Sequence, residues 1–252
     1  MNGRTMPTEI TTAVIGGTGL TQLEGLTLVE DRTVETPYGP PSSPLHLGLY
    51  AGRPVVFLAR HGQDHRYPPH LVNYRANIWA LHQLGIRRVI AVAAVGGIHA
   101  ELGPAALAVP DQIIDYTWGR AHTFFEDDLD AVRHVEFTRS YSDFLRRRVL
   151  DAAAGMDIAD GGTYGATQGP RLESAAEIRR MERDGCDLVG MTGMPETVLA
   201  RELGLDYASI CVVVNWAAGK SDEEITMELI ENNLRQGLGQ VHALLATLIE
   251  KL

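Results

Sequence analysis

The stretch Cys211–Ser221, CVVVNWAAGKS, runs three consecutive valines into an amide and then into a glycine–lysine–serine triplet. Its two readings lead to different folds. A nucleotide phosphate loop has the pattern G-x-x-x-x-G-K-[ST], and Gly219-Lys220-Ser221 supplies its end. Val214, however, stands where the leading glycine must let that loop turn tightly, and only about thirty residues follow the triplet. That is too little chain for the further sheet that holds a magnesium-binding Asp, so the phosphate-loop reading fails. The stretch reads instead as a strand covered on both faces, because an apolar run without alternation belongs to a sheet with helices on each side. Asn215 then either caps the strand or reads a ligand.

Similar runs recur at Thr12–Ile15, Leu45–Leu49, Val55–Ala59, Val89–Ala94, Ala108–Ile114, Leu188–Met191 and Ala208–Val214. Between them lie helical patterns at Val72–Leu84, Ser140–Ala154, Ser174–Arg183 and Glu196–Leu203, each closed by a glycine soon after, and an amphipathic terminal stretch Asp222–Leu252. Leu20–Arg32 reads as loop and edge strand. Strands alternating with helices predict an α/β fold of three layers, a central mixed and mainly parallel sheet flanked by helices. With 252 residues and no Ser/Gly/Pro-rich linker, the chain is expected to form a single domain over 1–252, with 1–10 a flexible N-terminus. Trp118–Thr138 is polar and irregular, longer than an ordinary connection, and such segments are often functional or interfacial.

A net charge of −10 argues against a phosphate-backbone binding face, so no nucleic-acid partner is expected. Cys186 and Cys211 both sit in apolar segments and read as buried thiols of an intracellular protein. The segment MNGRTMPTEI has no apolar signal core, and no run reaches membrane-spanning length. A soluble, cytoplasmic protein is expected.

The first strand runs into Gly16-Gly17-Thr18-Gly19, which either ends a strand or brings backbone amides to an anion. Gln22 replaces the third glycine of the dinucleotide fingerprint, and no clear helix follows, so that motif is not supported. Arg60-His61 follows a buried strand, either as a surface turn or as a permanent cation placed at the sheet's ligand edge. Val95-Gly96-Gly97 and Thr192 occupy the same kind of setting. His61, His65 and His70 do not make a metal site, since Gly62, Pro68 and Pro69 forbid a shared helix face and no carboxylate or thiolate joins them. No metal or cofactor is expected.

Five motifs in order, GGTGL, LARHG, VNYRANIWAL, GPRLESAAE and GMTGMPETVLARELGL, resemble the trimeric purine nucleoside phosphorylase and methylthioadenosine phosphorylase family from about Val14 to the last helix. The resemblance implies a phosphorylase/hydrolase-like fold, a homotrimer, and cleavage of a nucleoside by inorganic phosphate as co-substrate. It implies phosphate contacts from Thr18, Arg60, His61, the Ala94 backbone and Thr192. Ala93 stands where methylthioadenosine phosphorylases have Thr, so one hydroxyl contact is expected to be missing. Met191 is expected to pack on the sugar, and His134 to reach a neighbouring subunit's nucleoside.

The adenine-specific branch shows Asp-x-Asp at Asn215-Trp216-Ala217 and a small hydroxyl residue at Glu173, whereas the 6-oxopurine branch carries Asn and Glu. A 6-oxo group only accepts, so Asn215 can donate to it while accepting from a protonated N7, and Glu173 can accept from N1–H. The resemblance implies Asn215 and His61 as the catalytic residues. Leu172 replaces the usual Phe beside the base. Ile225-Thr226-Met227 replaces the His that reads a 5′-hydroxyl, and Met227 there would be either an apolar wall for a methylthio group or plain core. The combined expectation is phosphorolysis of S-methyl-5′-thioinosine to hypoxanthine and 5-methylthioribose 1-phosphate. The alternatives are a general inosine/guanosine phosphorylase, a methylthioadenosine phosphorylase, and a non-catalytic nucleotide-binding protein.

Overall fold

The computed structural model describes residues 9–127 and 130–252. Residues 1–8 of the expected flexible N-terminus lie outside the described residues; Ile10 already packs against the core. Eleven strands form one mixed sheet: β1 (Thr12–Gly16), β2 (Thr27–Arg32), β3 (Leu45–Tyr50), β4 (Arg53–Ala59), β5 (Arg88–Gly97), β6 (Leu107–Val109), β7 (Gln112–Asp115), β8 (Ile158–Asp160), β9 (Thr163–Ala166), β10 (Leu188–Gly190) and β11 (Asp206–Trp216). Among the described residues five α-helices accompany them: α1 (Tyr74–Gln83), α2 (Asp143–Ala152), α3 (Ala175–Arg183), α4 (Gly193–Glu202) and α5 (Met227–Lys251). The predicted run Ala108–Ile114 is in fact two strands, because Pro110 cannot donate to a ladder and breaks it. The sheet is also less parallel than the buried runs suggest, since β2–β3, β3–β4, β5–β10 and β6–β11 pair antiparallel.

Alternation along the central strands divides the core into layers. Val14, Ile90, Val92, Ile210 and Val212 face α2 and α5, while Ala13, Ile15, Val89 and Ala91 face α1 and α4. Each fully buried Val, Leu or Ile contributes about 1.5–3 kcal/mol. Helix ends are set locally. Ser142, not Ser140, caps α2 by accepting from the Leu145 amide, and Ser174 makes a complete capping box with Glu177. Both cysteines are buried free thiols. No helix among the described residues is long and apolar enough to cross a membrane.

Strand β5 determines where the sheet opens. One of its edges carries β11 along the whole length, Arg88 to Gly97. The other edge pairs with β1 over Arg88–Ala91 and with β10 over Gly96–Gly97. Between them, Val92–Val95 have no strand partner on that edge among the described residues. A crevice opens there, at the carboxyl ends of β1, β4 and β5, the general location of ligand sites in open α/β sheets.

Candidate active site

A cavity of about 430 Å³ occupies this crevice. Thr18, His61, His65 and Ala94 line one end, Asn215, Ala217, Glu173 and Leu172 another, and Met191, Ile225 and Met227 complete it. The ends of β1, β4, β5 and β11 thus supply groups far apart in sequence.

At the first end, Arg60 is 1% exposed and does not line the cavity. Its Nε and Nη2 donate to Glu196, each at 2.7 Å, and Nη1 donates to the Val92 carbonyl at 2.9 Å. The expectation of an open cationic contact is corrected in this respect: the guanidinium sits behind the wall, tied to an acid, with two of its five N–H donors left over. Burial works against its charge, but Glu196 outweighs that and raises its pKa. Gly17 is what lets the guanidinium lie so close beneath the glycine turn. A Cβ there would come 2.6 Å from the Val92 carbonyl oxygen and 2.9 Å from Arg60 Nη1. Thr192 is likewise buried behind the cavity, as the N-cap of α4, with its amide donating to the Tyr164 hydroxyl at 3.4 Å.

Ala94 borders the cavity with its backbone. Val92 points its carbonyl at the open edge of β5, and backbone groups two residues apart along a strand face the same side, so the Ala94 N–H points there too. Thr18 Oγ1 lies 3.2 Å from His65 Nε2, and the rings of His61 and His65 stand 4.8 Å apart. His61 Nδ1 must carry a hydrogen, since it donates to the Tyr67 carbonyl at 2.8 Å. Burial, then the neighbouring Arg60 charge, push its pKa down to about 4. At neutral pH its Nε2 is therefore an acceptor, fit for a hydroxyl of a protonated anion rather than for a bare oxygen.

This shift predicts a pH effect. Between pH 4 and 6.5 the unfolded chain binds a proton at His61 that the folded chain does not. Stability should therefore fall as pH drops through that window, with the loss complete near pH 4. His61→Gln should flatten this part of the profile in thermal unfolding measured at stepped pH. Parallel curves for the two proteins would assign the dependence to another group.

At the other end, β11 carries a bulge in its pairing with β5. Val213 opposes Val95 and Asn215 opposes Gly96, which leaves Val214 extra. Such bulges re-aim the following side chain. The strand does not stop at Asn215, as its polar character suggests, but continues to Trp216. The Asn215 side chain, in a residue 6% exposed, lines the cavity with Nδ2 donating to the Trp216 carbonyl at 2.7 Å. Oδ1 and the second N–H remain for a ligand. Gly96 leaves room for it: a Cβ there would lie 3.4 Å from Nδ2. Glu173 accepts from the Thr167 hydroxyl at 2.5 Å, which holds one oxygen and leaves the other. It is not part of the α3 cap, which Ser174 and Glu177 provide. Ala217 packs with Ile98, Ile178 and Val189. Leu172 is 46% exposed and Met227 65% exposed, so Met227 is no core residue but part of the cavity's rim.

His134 is exposed and does not line this cavity. Sequence reasoning missed His65, Glu196 and Arg120. Arg120, buried within the irregular segment, donates to the carbonyls of Met191, Met194, Thr167 and Gln168, and so ties the segment bearing Met191 to the one bearing Leu172 and Glu173. Only the unusual length of that segment hinted at such a role. Among the described residues no group of three or more His, Cys, Asp or Glu side chains is placed to hold a metal.

The crevice at the strand ends thus gathers Thr18, His61, His65 and Ala94 at one end and the amide of Asn215 with the carboxylate of Glu173 at the other, in an α/β protein with a mixed sheet. The chain belongs to the Phosphorylase superfamily, whose family model matches residues 11–250. It is 58% identical over 239 residues to a protein of Pseudomonas syringae pv. tomato named probable S-methyl-5′-thioinosine phosphorylase, covering 94% of this chain and 97% of that one. It is 43% identical over 227 residues to the 6-oxopurine nucleoside phosphorylase of Pyrococcus furiosus, covering 87% and 84%. Among solved structures, the methylthioadenosine phosphorylase of Schistosoma mansoni in complex with adenine superposes with a TM-score of 0.91 at 31% identity, over 96% of this chain and 91% of that one.

Proposed function

We propose that the chain catalyses phosphate-dependent cleavage of S-methyl-5′-thioinosine, giving hypoxanthine and 5-methylthioribose 1-phosphate in purine salvage. The observation that carries the reading is the pairing of Asn215 with Glu173 in one cavity whose rim at Met227 and Ile225 is apolar. Hydrogen phosphate is the nucleophile. Its oxygen forms the bond to the sugar C1′ as the bond from C1′ to N9 breaks, the purine leaves with that electron pair, and the proton taken up at its N7 is balanced by the one that the phosphate gives up, with water carrying it between them. The chain's work is placement and charge stabilisation. Thr18, the Ala94 N–H, the two spare donors of Arg60 and the Thr192 end of α4 hold the anion, and neutral His61 accepts its P–OH. Met191 packs on the sugar and Leu172 borders the base. Asn215 Oδ1 accepts from N7–H of the departing base and its free N–H donates to O6, while Glu173 accepts from N1–H. An adenine offers a donor at position 6 and no N1–H, so both residues mispair with it.

A homotrimer in the cytoplasm fits this reading, with His134 of one subunit near the nucleoside of the next. The test is phosphorolysis of methylthioinosine, inosine and methylthioadenosine with and without phosphate. The expected order places methylthioinosine first, and only with phosphate. A preference for methylthioadenosine would overturn the base assignment, and turnover of none would favour a binding protein. The apolar rim separates this reading from a general 6-oxopurine phosphorylase. Met227→His should therefore raise kcat/KM for inosine relative to methylthioinosine by about tenfold. An unchanged ratio would remove Met227 from the 5′ pocket.

A further inference from the structure

Behind the anion end of the cavity lies a buried cluster whose acid and phenol the reaction itself does not use. Glu196, 0% exposed, comes from α4; Tyr207, 3% exposed, comes from β11; Arg60 follows β4. Glu196 Oε2 accepts from Arg60 Nε, and Oε1 accepts from both Arg60 Nη2 and the Tyr207 hydroxyl, all at 2.7 Å. With the Val92 carbonyl on Nη1, the planar guanidinium is held at three corners by two elements, α4 through Glu196 and β5 through Val92, while Tyr207 of β11 holds Glu196 in turn. Neither Glu196 nor Tyr207 lines the cavity.

We infer that Glu196 and Tyr207 are positioning residues for phosphate, acting through Arg60 by fixing the plane of its guanidinium so that the remaining N–H on each terminal nitrogen is aimed at the anion. This rests on the reading of Arg60 as a phosphate ligand. The arrangement costs the site its net charge: a buried Arg–Glu pair is neutral, so the anion is held by aimed donors and not by a free cation. A buried ion pair also adds little net stability by itself. Three bonds on a planar fork leave the guanidinium little freedom to turn, which is what an aimed donor needs.

The two views predict opposite signs. Glu196→Gln releases a full positive charge beside the anion, so a site governed by charge would bind phosphate more tightly. It also places an amide N–H against a guanidinium N–H and spoils the aim. The expected result is a phosphate KM raised about tenfold or more, with nucleoside KM within about twofold. Tyr207→Phe, which keeps the packing, should raise phosphate KM about threefold, and phosphate should protect both variants less in thermal unfolding. Leu199→Ala, a core truncation on the same helix, controls for destabilisation and should leave phosphate KM unchanged. A lowered or unchanged phosphate KM in Glu196→Gln overturns the inference. Arg60→Lys separates the two levels. If it raises phosphate KM while the other two variants do not, positioning alone fails; if it does not, the phosphate role of Arg60 fails as well.

Discussion

Asn215→Asp should lower kcat/KM for methylthioinosine by about 100-fold or more, close to 3 kcal/mol of transition-state stabilisation. Two contacts reverse at once. Toward the base, a donor to O6 becomes an acceptor facing an acceptor. Toward the protein, Nδ2 now donates to the Trp216 carbonyl at 2.7 Å, and a carboxylate oxygen would meet that carbonyl instead. The residue is 6% exposed, so water cannot relieve the conflict. The replacement should also improve methylthioadenosine relative to methylthioinosine, read as the ratio of the two kcat/KM values. Should that ratio stay at its wild-type value, Asn215 only closes the strand. Adding Ala217→Asp will not restore an adenine site cheaply. Ala217 is buried against Ile98, Ile178 and Val189, and a carboxylate there should lower Tm before it helps recognition.

Arg60→Met should abolish measurable phosphorolysis at ordinary phosphate concentrations and destabilise the fold by about 3–5 kcal/mol, a drop in Tm of roughly 10 °C. The stability loss comes from Glu196, which is wholly buried and would keep only the Tyr207 hydroxyl as a partner. The activity loss comes from the donors aimed at the anion. These two effects separate in Arg60→Met/Glu196→Met, where both charges are gone. Thermal unfolding should recover much of the lost Tm while phosphorolysis stays absent. Recovery of both would mean that Arg60 serves the fold alone.

Much of this architecture was legible in the sequence. Buried β-branched runs located β1, β4, β5 and β11, and the helical pattern Ser174–Arg183 located α3, because burial on both faces and helical spacing leave local signatures. β8 and β9 left none: they are three and four residues long, too short to show a pattern, and separated by Gly161-Gly162. The proposed base-reading end was visible because Asn215 interrupts an apolar run. The bulge at Val214 that aims it was not, since register is a property of two strands. Glu196 stood out only as the first residue of a helical pattern, and Arg120 as part of a polar, irregular segment. Partners 136 residues from Arg60, or 71 residues from Arg120, are written in no local pattern.

The edge of β5 left without a strand over Val92–Val95 has a consequence for motion as well as binding. Every other neighbour of this strand offers it carbonyl oxygens; if phosphate binds along this gap as proposed, its oxygen supplies the same acceptor. The anion then stands in for a missing strand, and its arrival completes the ladder. The Ala94 amide should exchange with deuterium readily in the free protein and slowly once phosphate is present, while its neighbours facing β11 exchange slowly in both states.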